Sequence, residues 1–234
     1  MSVFMDRRHA GRALASALAK HGGADVIVLG WPPNGVPVAY EVACALGAPL
    51  DIFVARELTV PGHEEVAVGT LASGGLIVLD DEVVRDRRIS AEEISDVARE
   101  ESHELTRREQ AYRGGRPPSN IADKTVVLVD DGLTAGATLR AAVRALRKGT
   151  PQGIVVAVPV TAPETHALLS GEADEVVCAV GPEPLVSGER WYERSAEATD
   201  DEVRELLSSA WRSEPERTPE PVDLRGELTS SNRR

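Results

Sequence analysis

Apolar residues along the chain alternate between short continuous runs and helical spacings of three or four. Continuous runs of four to eight apolar residues are typical of buried strands, and the helical spacings are typical of amphipathic helices. Strands alternating with helices indicate an α/β fold with a largely parallel sheet. The predicted strands cover residues 26–29, 50–55, 125–129, 154–160 and 175–180, and the predicted helices cover 7–20, 36–46, 135–148 and 163–169.

The segment between the second and third of these strands breaks the alternation. Residues 66–71 and 76–79, joined by Ala-Ser-Gly-Gly, predict a β-hairpin, and residues 58–65 predict a surface loop. Ser90 and Glu93 form a capping-box signature at the start of a long stretch rich in Glu and Arg. Its apolar periodicity is thin, so we expect a charged, solvated helix over residues 90–112.

Composition indicates one globular domain. Of the 234 residues, 42% are hydrophobic and 27% are charged, which is the usual range for such proteins. We expect a domain over residues 1–212, with an insertion at about 57–118 that forms a hood and a mobile loop. Residues 213–234 are rich in proline and charge and are expected to form a disordered tail.

The charge and the absence of long apolar runs limit the classes of partner. A net charge of −12 disfavours binding to nucleic acid and to anionic membranes. No apolar run approaches the length of a membrane span, and the N-terminal stretch lacks a signal-peptide pattern, so we expect a cytoplasmic protein without membrane contact. Two cysteines exclude a disulfide framework and a cysteine zinc site.

The most informative segment is VVLVDDGLTAGAT, residues 126–138. Its apolar strand delivers Asp130 and Asp131 to the carboxyl end, the edge where open α/β sheets bind ligands. A turn rich in Gly and Thr follows at a helix N-terminus, where backbone N–H groups and hydroxyls can cradle a phosphate. Each half alone is also typical of an ordinary turn or helix cap. Together they indicate a ligand with a phosphate and a hydroxylated or Mg²⁺-bound part.

This segment resembles the 5-phosphoribosyl-1-pyrophosphate (PRPP) signature of the type I phosphoribosyltransferases. The order of elements, the RGGRPP loop at residues 113–118 and the stretch 157–160 resemble a bacterial group of that family. The resemblance implies a three-layer, Rossmann-like fold with an open, mostly parallel sheet. It also implies a small hood and places the charged helix in the family's variable region.

The resemblance also implies roles for particular residues. Asp130 and Asp131 would hold the ribose hydroxyls, directly or through Mg²⁺ and water. The loop facing the pyrophosphate would be Pro33, Asn34 and Gly35, within residues 32–35. The residues that would wrap the 5′-phosphate are Thr134, Ala135, Gly136, Ala137 and Thr138.

The chain departs from the family pattern in its pyrophosphate loop. Related loops commonly carry a basic residue near position 33, whereas residues 31–35 here are uncharged. Loss of such a charge can lower the rate on the order of 10²-fold. Arg56, Arg113 and Arg116 are candidates to replace it. Each is also typical of an ordinary surface arginine.

The sequence gives the least information about which residues would bind the acceptor. Trp191 and Tyr192 stand out in a chain with only 3% aromatic residues. Their rings could stack on a nucleobase or pack within the hood, and the sequence favours neither.

The leading hypothesis is a Mg²⁺- and PRPP-dependent phosphoribosyltransferase that acts on an unidentified nucleobase or other small acceptor and releases pyrophosphate. The alternative is a non-catalytic PRPP or nucleotide sensor on the same fold, motivated by the uncharged loop. A response-regulator-like or phosphatase-like domain that uses the two aspartates fits less well. Such folds need further acidic and lysine residues at other strand ends, and only three lysines occur in the chain. The expected partners are PRPP and a small acceptor, and a homodimer is left open.

Overall fold

The computed structural model describes residues 3–62, 66–134, 136–181 and 191–213. Seven α-helices and eight strands are assigned in these ranges. In chain order they are α1 (Arg7–Ala17), β1 (Val26–Gly30), α2 (Gly35–Leu46), β2 (Leu50–Ile52), β3 (Ala55–Thr59), β4 (Ala67–Ala72), β5 (Leu76–Leu79), α3 (Asp81–Asp86), α4 (Ala91–Arg113), β6 (Thr125–Val129), α5 (Gly136–Lys148), β7 (Gly153–Val158), α6 (Pro163–Ser170), β8 (Glu175–Cys178) and α7 (Asp200–Ser213).

A five-stranded parallel sheet forms the centre, in the order β2-β1-β6-β7-β8. Both faces of its central strands are covered. Val127 and Val129 of β6 pack in one cluster with α1 and α2, while Val126 and Leu128 pack in another with α5. The strands are therefore apolar on both faces, which is why they occur in the sequence as continuous runs of apolar residues. The α/β prediction is confirmed.

A second sheet of three antiparallel strands has the order β3-β4-β5. The predicted hairpin is its β4-β5 pair. The prediction of one strand over residues 50–55 is wrong, because the chain leaves the central sheet after Ile52 and enters the second sheet at Ala55. The start of the predicted loop 58–65 is also wrong, since Leu58 lies in β3 and both Leu58 and Val60 are buried. Residues 63–65 of that prediction lie outside the described residues.

Helix α4 begins with the predicted capping box of Ser90 and Glu93. It is not solvated all round, because Val97, Leu105 and Tyr112 are buried in the core. The sequence prediction missed α7, which covers the edge of the central sheet and donates a hydrogen bond from Trp211 Nε1 to the Leu50 carbonyl at 2.9 Å. The predicted tail, apart from its first residue, lies outside the described residues.

The connections of the central sheet decide where a ligand could bind. The loop after β1 and the acidic pair after β6 both follow the carboxyl ends of adjacent parallel strands. They therefore meet at one edge of the sheet. Within the described ranges, no helix is long and apolar enough to cross a membrane.

Candidate functional site

Asp130 follows β6 and is 1% exposed. Both of its carboxylate oxygens accept hydrogen bonds from the turn that follows. The Gly132 backbone N–H donates to Oδ2 at 2.9 Å, and the Thr134 hydroxyl donates to Oδ1 at 2.8 Å. The acid thus holds its own turn in shape, as Asp side chains do in Asx turns.

Burial changes the acidity of this group. Loss of solvation, followed by the nearby charge of Asp131, raises the pKa of Asp130 to about 6, and the bonds from Thr134 and Gly132 oppose the shift. A carboxyl that changes charge near neutral pH is common at functional sites.

Asp131 is 3% exposed and is bound by Arg7, which is 6% exposed. Arg7 Nε and Nη2 lie 3.1 and 2.9 Å from Asp131 Oδ2. Arg7 Nη1 donates to the carbonyl of Ala196 at 2.6 Å. Every nitrogen of this guanidinium therefore has an acceptor, which offsets the cost of burying the charge. Sequence reasoning missed Arg7. Its position at the start of a helix, 124 residues from its partner, gives no local signal.

Tyr192 is 1% exposed and completes the support of Asp131. Its hydroxyl donates to the Asp131 carbonyl at 2.6 Å, and its ring lies under the Arg7 guanidinium at 5.2 Å. Burial raises the pKa of Tyr192, which keeps the hydroxyl a donor. Residues 191–194 also pair with the N-terminal segment through backbone bonds at Phe4 and Met5. These contacts favour a packing role for Tyr192. Stacking of Tyr192 or Trp191 on a nucleobase stays a prediction.

The turn after the acids requires glycine at its first position. Gly132 has φ +88°, and a Cβ there would collide with the Val160 carbonyl oxygen. Helix α5 then begins at Gly136, with Ala137 and Thr138 in its first turn, while Ala135 lies outside the described residues. The N–H groups of this first turn have no intrahelical partner, which suits an anion.

The loop after β1 lies directly against the acidic pair. Trp31 N–H donates to the Val129 carbonyl at 2.9 Å. Gly35 packs so closely that a Cβ would lie 2.7 Å from the Val129 oxygen and 3.0 Å from the Asp130 Cα. The Pro32–Pro33 peptide bond is cis. The Asn34 side chain accepts a bond from the Ala198 N–H at 3.0 Å, so it anchors the segment before α7.

The three candidate arginines lie in different places. Arg113 is 3% exposed and binds Asp51 through Nε at 2.8 Å and the Ile52 carbonyl through Nη2 at 2.9 Å. Arg116 lies over the Trp211 ring at 4.5 Å. Arg56 pairs with Glu101 and lines a cleft that also contains Thr138. Arg56 therefore shares a cleft with Thr138, a residue of the predicted phosphate-binding turn.

The donor set suits Mg²⁺ only as a partner of a bound ligand. Among the described residues, no group of three or more His, Cys, Asp or Glu side chains could hold a metal ion. Mg²⁺ is commonly held by one or two carboxylates together with substrate phosphates. Asp130 fits that role, whereas the guanidinium of Arg7 against Asp131 disfavours a second cation there.

Comparisons with known proteins agree with this architecture. The family model described as phosphoribosyl transferase domain matches residues 6–184. A curated protein of Mycobacterium tuberculosis strain H37Rv, with the provisional name phosphoribosyl transferase Rv0571c, is 41% identical over 212 residues. That match covers 91% of this chain and 48% of the relative, so the chain spans about half the length of the curated relatives it matches.

A solved structure extends the likeness to three dimensions. The crystal structure of TT1426 from Thermus thermophilus is 38% identical and has a TM-score of 0.78. The match covers 89% of this chain and 99% of that one. The sheet order and the comparisons together define an α/β domain of the phosphoribosyl transferase kind. The chain belongs to the phosphoribosyl transferase domain family.

Proposed function

We propose that the chain transfers the ribose 5-phosphate group of PRPP to a small acceptor, such as a nucleobase, and releases pyrophosphate. One observation carries the proposal. Buried Asp130 and Asp131 follow β6 and lead directly into a glycine-dependent turn at the N-terminus of α5, and the end of the loop at Gly35 packs against them. This arrangement provides an anion cradle and two carboxylates at one sheet edge.

The residues at this sheet edge have two roles, which are to position the ligand and to stabilise charge. The backbone N–H groups of the α5 N-terminus and the hydroxyl of Thr138 bind the 5′-phosphate. Asp130 and Asp131 accept hydrogen bonds from the ribose hydroxyls. The negative charge of Asp130 stabilises the positive charge that develops on the ribose as the bond to pyrophosphate breaks. Arg7 and Tyr192 hold Asp131 in place through the contacts above.

Mg²⁺ fits this proposal as a partner of the ligand. Asp130 would help to hold it, directly or through water, together with oxygens of PRPP. When bound, Mg²⁺ neutralises charge on the pyrophosphate and orients it. Asp130 must be ionised for this role, so we expect Mg²⁺-dependent binding to strengthen as pH rises through about 6.

Calorimetric titration with PRPP, with and without Mg²⁺, tests the proposal. The unmodified chain should bind PRPP, and Asp130→Asn/Asp131→Asn should weaken binding by at least about tenfold, because it removes charged acceptors. The matched control is Asp86→Asn/Asp201→Asn, which removes two charges from exposed positions. Undetectable binding by the unmodified chain, or equal losses in both double variants, would contradict the proposal.

A second candidate is a PRPP or nucleotide sensor without turnover. It is favoured by the uncharged loop at residues 31–35, by the anchoring of Asn34 to Ala198, and by the contacts that hold Arg113 and Arg116 elsewhere. A pyrophosphate-release assay across purines, pyrimidines and related bases separates the two. PRPP binding with no release favours the sensor, and release with any acceptor excludes it.

A further inference from the structure

A pocket of about 220 Å³ lies at the opposite end of α5 from the proposed phosphate site. It is lined by Leu146 in the last turn of α5 and by Gly149 just after the helix, whereas Thr138 lies in the first turn. At 1.5 Å per residue, Thr138 and Leu146 are roughly 12 Å apart along the helix axis. The other walls come from the ends of β1 and β2, the turn before β5 and residues 118–121. We call this cavity the Asp51 pocket, after the carboxylate in its lining.

Most of the wall of the Asp51 pocket is apolar. The large apolar side chains in the lining are Leu29, Ile52, Phe53, Leu76, Ile121 and Leu146. Four of them are at most 3% exposed, so they belong to the close-packed core and hold their positions. An apolar cavity of about 150 Å³ can hold a benzene ring. The Asp51 pocket therefore suits one ring or two fused rings, and it is too small for a whole nucleotide.

Asp51 places a buried hydrogen-bond acceptor in this apolar lining, and its side chain is 2% exposed. Oδ1 accepts bonds from the Ile52 N–H at 2.7 Å and from Arg113 Nε at 2.8 Å. Oδ2 accepts a bond from the Ser119 N–H at 2.8 Å. Each oxygen of a carboxylate can accept two hydrogen bonds, so Oδ2 has room for an N–H donor from a ligand.

The charges around Asp51 decide which kind of ligand the pocket can accept. Arg113 donates from Nη2 to the Ile52 carbonyl at 2.9 Å, and its Nη1 lies 2.8 Å from Glu109 Oε1. The guanidinium is therefore engaged by the protein on all sides. Two carboxylates around one guanidinium leave a local negative charge, which opposes an anion. The apolar walls in turn penalise a ligand that carries a full charge.

We propose that the Asp51 pocket binds an uncharged heteroaromatic compound of one or two fused rings, with a ring N–H directed at Asp51 Oδ2. The apolar walls contact the faces of the ring, and the carboxylate fixes its orientation. Indoles and free purine bases belong to this class. The pocket lies apart from the acidic pair after β6, so the inference does not depend on the proposed function.

Calorimetric titration with two probes of the same shape tests the hydrogen bond to Asp51. Indole has two fused rings and one N–H, and benzofuran carries an oxygen in place of that N–H. Indole should bind the unmodified chain. Benzofuran should bind about tenfold more weakly, because it cannot donate to the carboxylate and brings a second acceptor against it.

A pair of variants tests the location of the bound ring. Leu76→Trp places a larger side chain in the pocket and should lower the affinity for indole at least about tenfold. The matched control is Ile77→Trp, the same change at the next residue of β5, which packs on the opposite face and does not line the pocket. It should leave the affinity within about twofold. Thermal unfolding of each variant verifies that it is folded.

Each contrary outcome overturns a definite part of the inference. The absence of indole binding by the unmodified chain overturns the site, and equal affinities for indole and benzofuran overturn the role of Asp51. Indole binding that survives in Leu76→Trp but is lost in Asp130→Asn/Asp131→Asn would place the ring at the acidic pair instead. If Leu76→Trp does not fold, the comparison of indole with benzofuran on the unmodified chain still decides whether the N–H is recognised. A chain that binds indole in this way but fails to bind PRPP supports the Asp51 pocket while the proposed function fails.

Discussion

Arg7 and Asp131 form a buried ion pair, with Nη2 2.9 Å from Oδ2, across 124 residues of sequence. Removing one member leaves the other charge buried without a partner. Arg7→Met should therefore lower the free energy of unfolding by about 3–5 kcal/mol, measured by urea denaturation. The pair of Arg8 and Glu41 provides the control, since the Arg8 side chain is 49% exposed and Arg8→Met should cost less than about 1 kcal/mol.

A double variant tests whether the loss of unfolding free energy comes from the Asp131 carboxylate that Arg7→Met leaves buried without a partner. Arg7→Met/Asp131→Asn removes both charges and should be more stable than Arg7→Met alone. If Arg7→Met costs no more than Arg8→Met, the ion pair does not hold this part of the fold together.

The raised pKa of Asp130 predicts a dependence of stability on pH. The folded state keeps a proton on this group up to about pH 6, whereas the ordinary value is 3.8. Its contribution to stability is present below about pH 4 and is lost as pH rises through 6. The variant Asp130→Asn stays neutral, so its stability relative to the unmodified chain should increase by roughly 2 kcal/mol between pH 4 and pH 7. Urea denaturation at both pH values measures this, and a difference that does not change with pH would refute the assignment.

Substitution of Gly132 is expected to have a steric effect on the turn between Asp131 and α5, which forms part of the proposed phosphate site. Gly132→Ala combines a positive φ with a collision against the Val160 carbonyl, so it should displace the turn and weaken PRPP binding. Gly115→Ala is the matched control, because Gly115 has φ +91° and open space around it. The control should cost only the backbone strain, on the order of 1 kcal/mol, and should leave binding unchanged. Equal effects in a PRPP titration would show that the collision has no consequence for the site.

Substitutions of Arg113 and Arg116 are predicted to lower stability by very different amounts. Arg113→Met leaves the buried Asp51 carboxylate without its guanidinium partner and should lower the free energy of unfolding by about 3–5 kcal/mol. Arg116→Gln removes a cation from the face of the Trp211 ring and should cost about 1 kcal/mol or less. Neither change should alter PRPP affinity in folded protein, as measured by calorimetry. A tenfold loss of affinity in Arg116→Gln would restore the pyrophosphate role considered from the sequence.

Local patterns predicted the central sheet and the segment after β6. Residues 126–129 are apolar throughout because β6 is buried on both faces, and glycines and threonines follow where the backbone must turn into α5. The pattern failed at residues 50–55, where a run that is apolar except for Asp51 spans two sheets. Periodicity reports burial and does not identify the neighbouring strand, so it could not locate this change.

The sequence alone determined the α/β class, the acidic pair and the glycine-rich turn, because each depends on residues within a few positions of one another. Tertiary structure decided which charges meet. It placed Arg7 on Asp131 and Arg113 on Asp51. Contacts between distant residues depend on how helices and sheets pack, and the physical cost of burying a charge then selects the arrangement in which it finds a partner.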